Sequence, residues 1–411
     1  MSPAASVELE VHSETIDGTV HAGTAFVSLR RGAVTTTFEY DTRYLGRHDA
    51  YEISPDLPIT SGGGVTNGLP GALADSAPDR WGRNLIKKRQ LADARANHGS
   101  PPTVTEVDYL LGVDDLTRQG ALRYRVGASA FLADNHEVPR LVALPRLLDA
   151  ADIVSREDLQ RDDMAAVKVL LDAGSGSLGG ARPKASIQEG DQLFIAKFPH
   201  SSDEWDLMAW EMTALDLAEA AGISTPRRRL IDVTGRRVLM LERFDRDGPR
   251  RRPFISAMSL VQSEDGETRD YVEISEALTD HGSNVRQDLV ELWRRMAFSV
   301  AINNTDDHLR NHGFLRRGSG WSLSPIFDVN PNPDLAAHRT TSINFATDRN
   351  GARDGLVEVS ASFGLSKDRA ASIWAQVRAG VANWKDVAHA HGIGTGEIRR
   401  FAPIFGEMNV R

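Results

Sequence analysis

The strongest constraint on this chain is a helix-patterned segment that runs straight into a dense polar stretch. Leu289, Leu292, Trp293, Met296, Ala297 and Val300 follow the i, i+3, i+4, i+7, i+8, i+11 spacing of one buried helix face. Asn303-Asn304-Thr305-Asp306-Asp307-His308-Leu309-Arg310-Asn311-His312-Gly313-Phe314 comes next. Carboxylates, imidazoles and amides packed this densely beside a buried helix are costly unless they are solvated or paired.

The spacing within the polar stretch carries chemistry. Asp306 and Asn311 have the D-x-x-x-x-N spacing of a protein-kinase catalytic loop, where the Asp receives the substrate hydroxyl proton and the Asn holds magnesium. Taken alone the pattern is common, and a capped helix end followed by a polar turn also produces it. Further on, Ser324-Pro325-Ile326-Phe327-Asp328 places an acid after a short apolar strand, suited to bridging magnesium to phosphates.

Such chemistry also needs a cation on a strand. Leu193-Phe194-Ile195-Ala196-Lys197-Phe198 surrounds one lysine with apolar neighbours, and alternation puts Lys197 on the face of Leu193 and Ile195. An edge-strand lysine guarding against aggregation would look the same. A helix predicted from Asp206 to Ala221 carries Glu211 at the border of its apolar stripe, where it would pair with Lys197. Upstream, Gly174-Ser175-Gly176-Ser177-Leu178-Gly179-Gly180 is glycine-rich enough to turn backbone N–H groups toward an anion, although it matches neither G-x-G-x-x-G nor Walker A. After the strand Val238–Leu241, the run Glu242-Arg243-Phe244-Asp245-Arg246 suits a hinge whose backbone bonds adenine, with Phe244 covering it.

The rest of the chain sets the frame. Residues 19–27 and 35–40 are predicted strands, Asp79 to Asn97 a helix, and 98–105 a loop. A second strand-rich block starts near residue 123 and includes a hairpin at 184–198 that turns at Gln188-Glu189-Gly190-Asp191. From about residue 270 helical periodicity dominates, with Trp374, Val377, Val381 and Trp384 forming a late apolar face. With no cysteine there is no disulfide framework, thiolate nucleophile or cysteine-ligated metal, and a reducing cytoplasm fits. The first residues lack the basic head and apolar stretch of a signal peptide, and no apolar run is long enough for a membrane span. A net charge of −9 argues against a chain whose main task is coating nucleic acid.

In joint order and spacing these segments resemble the HipA family of bacterial serine/threonine kinases, the toxin halves of toxin–antitoxin pairs. The resemblance rests on Ser177–Lys184, Ile195-Ala196-Lys197-Phe198-Pro199, Glu211, Glu242–Arg246, Asn304–Asn311 and Ile326-Phe327-Asp328. Gly71-Ala72-Leu73-Ala74-Asp75-Ser76-Ala77-Pro78-Asp79-Arg80 also looks like the N-terminal HipA module. The resemblance implies an α+β, two-lobed protein-kinase-like fold with a strand-rich N-terminal module (1–105), a kinase N-lobe (106–246) and an all-helical C-terminal lobe (247–411). It implies ATP and Mg2+, with Asp306 as catalytic base, Lys197 as phosphate lysine, and Asn311 and Asp328 as metal ligands. Glu211, Glu242, Phe244, Ser177, Gly179, Gly180 and His308 would contact the nucleotide. Ser177 sits where family members phosphorylate themselves, and Ser175 is a second acceptor. The implied partners are a protein substrate and a small DNA-binding antitoxin of HipB type, with operator DNA met only through the antitoxin and no membrane. Asp307 stands where glycine is frequent in the family, and Gly-Gly-Ala-Arg-Pro replaces its Ala-Gly-Ala-Gln.

Two other readings compete. Asp306, Asp307, His308, His312 and Asp328 could form a hydrolytic metal site, which leaves Lys197 and the glycine loop unexplained. The segment Trp384–Phe401 has a helix-turn-helix look, with Arg399 and Arg400 placed for phosphate, although two packed helices explain it as well.

Overall fold

The computed structural model describes residues 5–15, 17–30, 33–96, 103–127, 129–132, 138–156, 163–175 and 182–406. Ser177, Gly179 and Gly180 lie outside the described residues. The chain divides into two compact units, one made of Met1–Ser201, Val233–Arg236 and Asp245–Ile255, the other of Ser202–Asp232, Arg237–Phe244 and Ser256–Arg411. The chain passes between the units five times, at 201/202, 232/233, 236/237, 244/245 and 255/256.

In the first unit, β1 (Ala5–Thr15), β2 (Gly18–Arg30), β3 (Ala33–Tyr40), β4 (Gly64–Asn67) and β5 (Arg123–Arg125) form an antiparallel sheet of order β4-β3-β2-β1-β5. Register pairs Leu9 with Ala25 and Ala25 with Phe38, giving a buried row across three strands. Period-2 alternation puts such rows on one face, and one-residue slippage would expose them all. Gly23 is required there, because a Cβ would lie 2.7 Å from the Phe38 ring.

The strand-rich block expected from residue 123 contains helices ahead of its hairpin. After β5 come helices Leu144–Val154 and Met164–Asp172. Leu144, Leu147, Leu148, Ala151 and Val154 are buried along one helical stripe that starts with a proline in the first turn, where its missing N–H costs nothing. Strands return as the hairpin of β6 (Lys184–Glu189) and β7 (Gln192–Lys197), which turns at Gly190 in the left-handed region.

In the second unit, the helix Val285–Ala301 buries all six residues of the periodic stripe. The helix Leu207–Ala220 is capped by Asp206, whose carboxylate accepts from the Ala209 N–H at 2.9 Å. Helix dominates this unit. The exceptions include a hairpin of Gly313–Arg317 and Gly320–Leu323, where Phe314, Leu315, Trp321 and Leu323 are buried in a short apolar ribbon. The late apolar face splits in two. The helix Lys367–Val381 buries Ile373 rather than Trp374, and Trp384 opens a separate helix, Trp384–Ala390, because the chain breaks at Ala382-Asn383. The last helix, Thr395–Gly406, stacks Phe401 on Trp210 at 3.9 Å between centroids. Its Glu397 accepts from Trp210 Nε1 at 3.0 Å. Arg400 pairs with Glu204 and lies over the Trp205 ring. These contacts make the two last helices a packed closure, as the plainer reading expected.

No helix among the described residues is long and apolar enough to cross a membrane.

Candidate active site

The segment 303–312 folds as a mostly buried loop in which Asp306 and Arg310 are exposed. Asn303 starts it in the left-handed region, φ +54°, with Nδ2 donating to the carbonyls of Asn332 (2.7 Å) and Asp334 (3.0 Å). An asparagine tolerates this region better than most residues, but the turn still needs such fixing. The Thr305 carbonyl accepts from Thr340 N–H at 2.9 Å, and the Asp307 carbonyl accepts from the Thr341 hydroxyl at 2.6 Å.

The two adjacent carboxylates have opposite environments. Asp307 is buried and held by four groups. The hydroxyls of Tyr271 and Ser299 donate to Oδ2, His312 Nε2 lies 3.2 Å from Oδ1, and Arg339 lies 3.8 Å from Oδ2. Burial alone would raise its carboxyl; the charge of His312, with Arg339 and the hydroxyl donor, overcomes this and holds it well below the usual range. Asp306 is exposed at its surface. Its carboxyl is raised above the ordinary value, first by the protein crowding around its base. The negative charges of Asp328 and Asp307 raise it further, while His308 opposes them.

The structure brings several expected residues together around Asp306. Asn311 is buried and donates from Nδ2 to the Asp306 carbonyl at 2.8 Å, leaving its amide oxygen as the atom a cation would take. Asp328, φ +58°, lies near enough for its charge to be felt at Asp306. The preceding Phe327 meets Phe244 at 5.5 Å between ring centroids. Glu242 ends β9 (Arg236–Glu242), which follows β8 (Arg228–Val233). Its carboxylate lies 3.5 Å from Arg227, and its N–H donates to the Arg227 carbonyl at 2.8 Å.

Lys197, buried, ends β7 in the first unit, and Glu211, fully buried, belongs to the second. Glu211 is thus an interior carboxylate. Ser175 is also fully buried, and its Oγ has no hydrogen-bond partner among the described residues.

Sequence reasoning missed the groups that hold Asp307. Ser299 left a trace, as a hydroxyl within the apolar helix. Tyr271 and Arg339 come from distant segments and left none. Among the described residues, no three His, Asp or Glu side chains group as a metal centre. Asp307 and His312, two ligands of the hydrolase reading, are committed to each other in the buried network. The remaining donors around Asp306, a carboxylate from Asp328 and an amide oxygen from Asn311, are hard oxygen ligands of the kind magnesium takes.

Fold and loop together define the class: an α+β protein with a kinase-like fold. The chain belongs to the HipA family: the HipA-like C-terminal domain matches residues 176–384, and the HipA N-terminal domain matches residues 19–100. A chain from the Shewanella oneidensis MR-1 toxin–antitoxin complex of HipA, HipB and operator DNA shares the fold, with a TM-score of 0.70 at 16% identity. The match covers 97% of this chain and 95% of that one. A Haemophilus influenzae protein named "Putative kinase" is 23% identical over 202 residues, 43% of this chain. The match spans 59% of that relative's length.

Proposed function

We propose that the chain is an ATP- and Mg2+-dependent serine/threonine protein kinase of HipA toxin type, acting on a protein target in the cytoplasm. The observation that carries this reading is the asymmetry of the two loop carboxylates. Asp307 is locked as a buried anchor, while Asp306 is left exposed, ionisable and tied through its own carbonyl to Asn311.

Asp306 would accept the proton of the substrate hydroxyl as that oxygen attacks the terminal phosphorus. Its raised carboxyl makes it a better base than an ordinary aspartate. Asn311 and Asp328 would hold magnesium, which neutralises charge on the phosphates when bound. Lys197 would hold the phosphates as a point charge. Phe244 and the backbone after Glu242 would meet the adenine. Left-handed Asp328 and Asn303 fit a site where strain is kept because the surroundings over-determine it. Ser177 would be the first self-phosphorylation acceptor, and buried Ser175 would follow only on movement of the loop that carries it. Family membership supports a small antitoxin of HipB type as partner, with operator DNA reached through it.

Nucleotide-dependent thermal shift tests the reading against the metal hydrolase. A ligand at about 100 times its Kd stabilises the native state by about 2.7 kcal/mol. ATP with magnesium should raise Tm, and the shift should vanish in Lys197→Met. No shift with ATP and magnesium, together with a clear shift on manganese or zinc alone, would overturn it.

A further inference from the structure

The strand facing Lys197 carries a second buried lysine. Register in the β6–β7 hairpin sets Lys184 opposite Lys197, and side chains directly opposite in an antiparallel ladder share a face. Lys184 is 2% exposed and Lys197 8%. Like charges set opposite each other repel, and burial takes away the water that would screen them. Lys184 donates from Nζ to Asp79 Oδ2 at 3.1 Å. The other oxygen of Asp79, Oδ1, accepts from the Gly82 N–H at 3.0 Å, and its carbonyl accepts from Arg83 N–H at 2.8 Å. The carboxylate is thus fixed by the first turn of the helix Arg80–Ala96 as it meets the lysine. Asp79 falls in the stretch matched by the HipA N-terminal domain and Lys184 in the stretch matched by the C-terminal one, yet all three residues belong to one compact unit.

We propose that Asp79 is a positioning residue for nucleotide binding. By anchoring the Lys184 ammonium, it relieves the repulsion across the hairpin and keeps Lys197 set for phosphate. This gives the N-terminal module a direct part in the phosphotransfer site, and it rests on the kinase reading above.

The sign of the effect separates positioning from simple charge. Removing a negative group near a phosphate site would, by charge alone, tighten ATP binding. Loss of positioning weakens it. Asp79→Asn in the full chain should raise KM for ATP roughly tenfold and change kcat by less than about twofold, the scale of coupling expected for a contacting pair. Adding Asp79→Asn to Lys184→Met should change KM by less than about twofold, because the partner is already gone. Asp79→Glu, which keeps the charge and the fold but moves the carboxylate, should fall between wild type and Asp79→Asn. Unchanged or lowered KM in Asp79→Asn, or in Asp79→Glu should Asp79→Asn not fold, would overturn the inference, even if Tm falls. If wild type itself binds no ATP with magnesium by calorimetry, the kinase reading fails first, and the inference falls with it.

Discussion

Asp306 and Asp307 are neighbours in sequence and opposites in chemistry, and the difference is entirely one of surroundings. Asp307 faces a phenol, a hydroxyl, an imidazole and a guanidinium inside the protein. Removing its charge leaves Arg339 and His312 buried without their anion, a loss that typically costs about 3–5 kcal/mol. Asp307→Asn should therefore lower stability strongly, whereas Asp306→Asn, at an exposed position, should move it by no more than about 0.5 kcal/mol. Because the native carboxyl of Asp307 is held below its unfolded value, its contribution is complete above the ordinary carboxylate range. It is lost as pH falls through the lowered native value. Urea unfolding at neutral and acid pH checks this: the gap between wild type and Asp307→Asn should be constant near neutrality and shrink in acid. Equal stabilities at neutral pH would contradict the anchor role. Asp307 is thus an acid with a structural task, something no spacing in the loop announced.

At the scale of elements, what was legible follows from local rules. The stripe of Leu289 to Val300 is a repeating signal over three turns, and its helix formed as read. The hairpin carrying Lys197 was marked by alternation and by the Gly190 turn, and Asp206 announced its helix by capping. Less was legible where the signal was short or mixed. The helices at Leu144–Val154 and Met164–Asp172 went unread within a block predicted as strand-rich, although Leu144, Leu147, Leu148 and Ala151 carry the helical period. Local spacing singled out Asp306, Asn311, Asp328 and Lys197 as the candidate site residues. The groups that fix it, Tyr271 and Arg339 for Asp307 and Asp79 for Lys184, are long-range contacts that no local pattern encodes. The last helix follows the same logic: its glycine-flanked, basic sequence suggested a nucleic-acid reader, yet Phe401 and Glu397 are spent on Trp210. Phe401→Ala should cost about 3–5 kcal/mol, the usual range for emptying a buried phenylalanine site. Thermal or urea unfolding would show it, and a change below about 1 kcal/mol would mean that the helix does not depend on this stack.

For the whole molecule, an acidic chain of 411 residues combines a strand-built N-terminal unit with a helix-dominated C-terminal one. The N-terminal unit holds the sheet, the module motif and the Lys184–Lys197 hairpin; the C-terminal one holds the loop of Asp306, Asn311 and Asp328. Part of the excess acid behind the −9 charge lies in that loop, where burial raises the Asp306 carboxyl and the charges of Asp328 and Asp307 add to it. The central claim is that Asp306 performs phosphoryl transfer to protein hydroxyls. The most direct measurement is incorporation of labelled γ-phosphate, with mass spectrometry of phosphosites on the purified chain and on lysate proteins, wild type against Asp306→Ala. Wild type should label itself in the glycine loop and modify serine or threonine in at least one lysate protein. Asp306→Ala, folded to the same Tm, should do neither. Undiminished labelling by Asp306→Ala, or no labelling by wild type with ATP and magnesium present, would contradict the account.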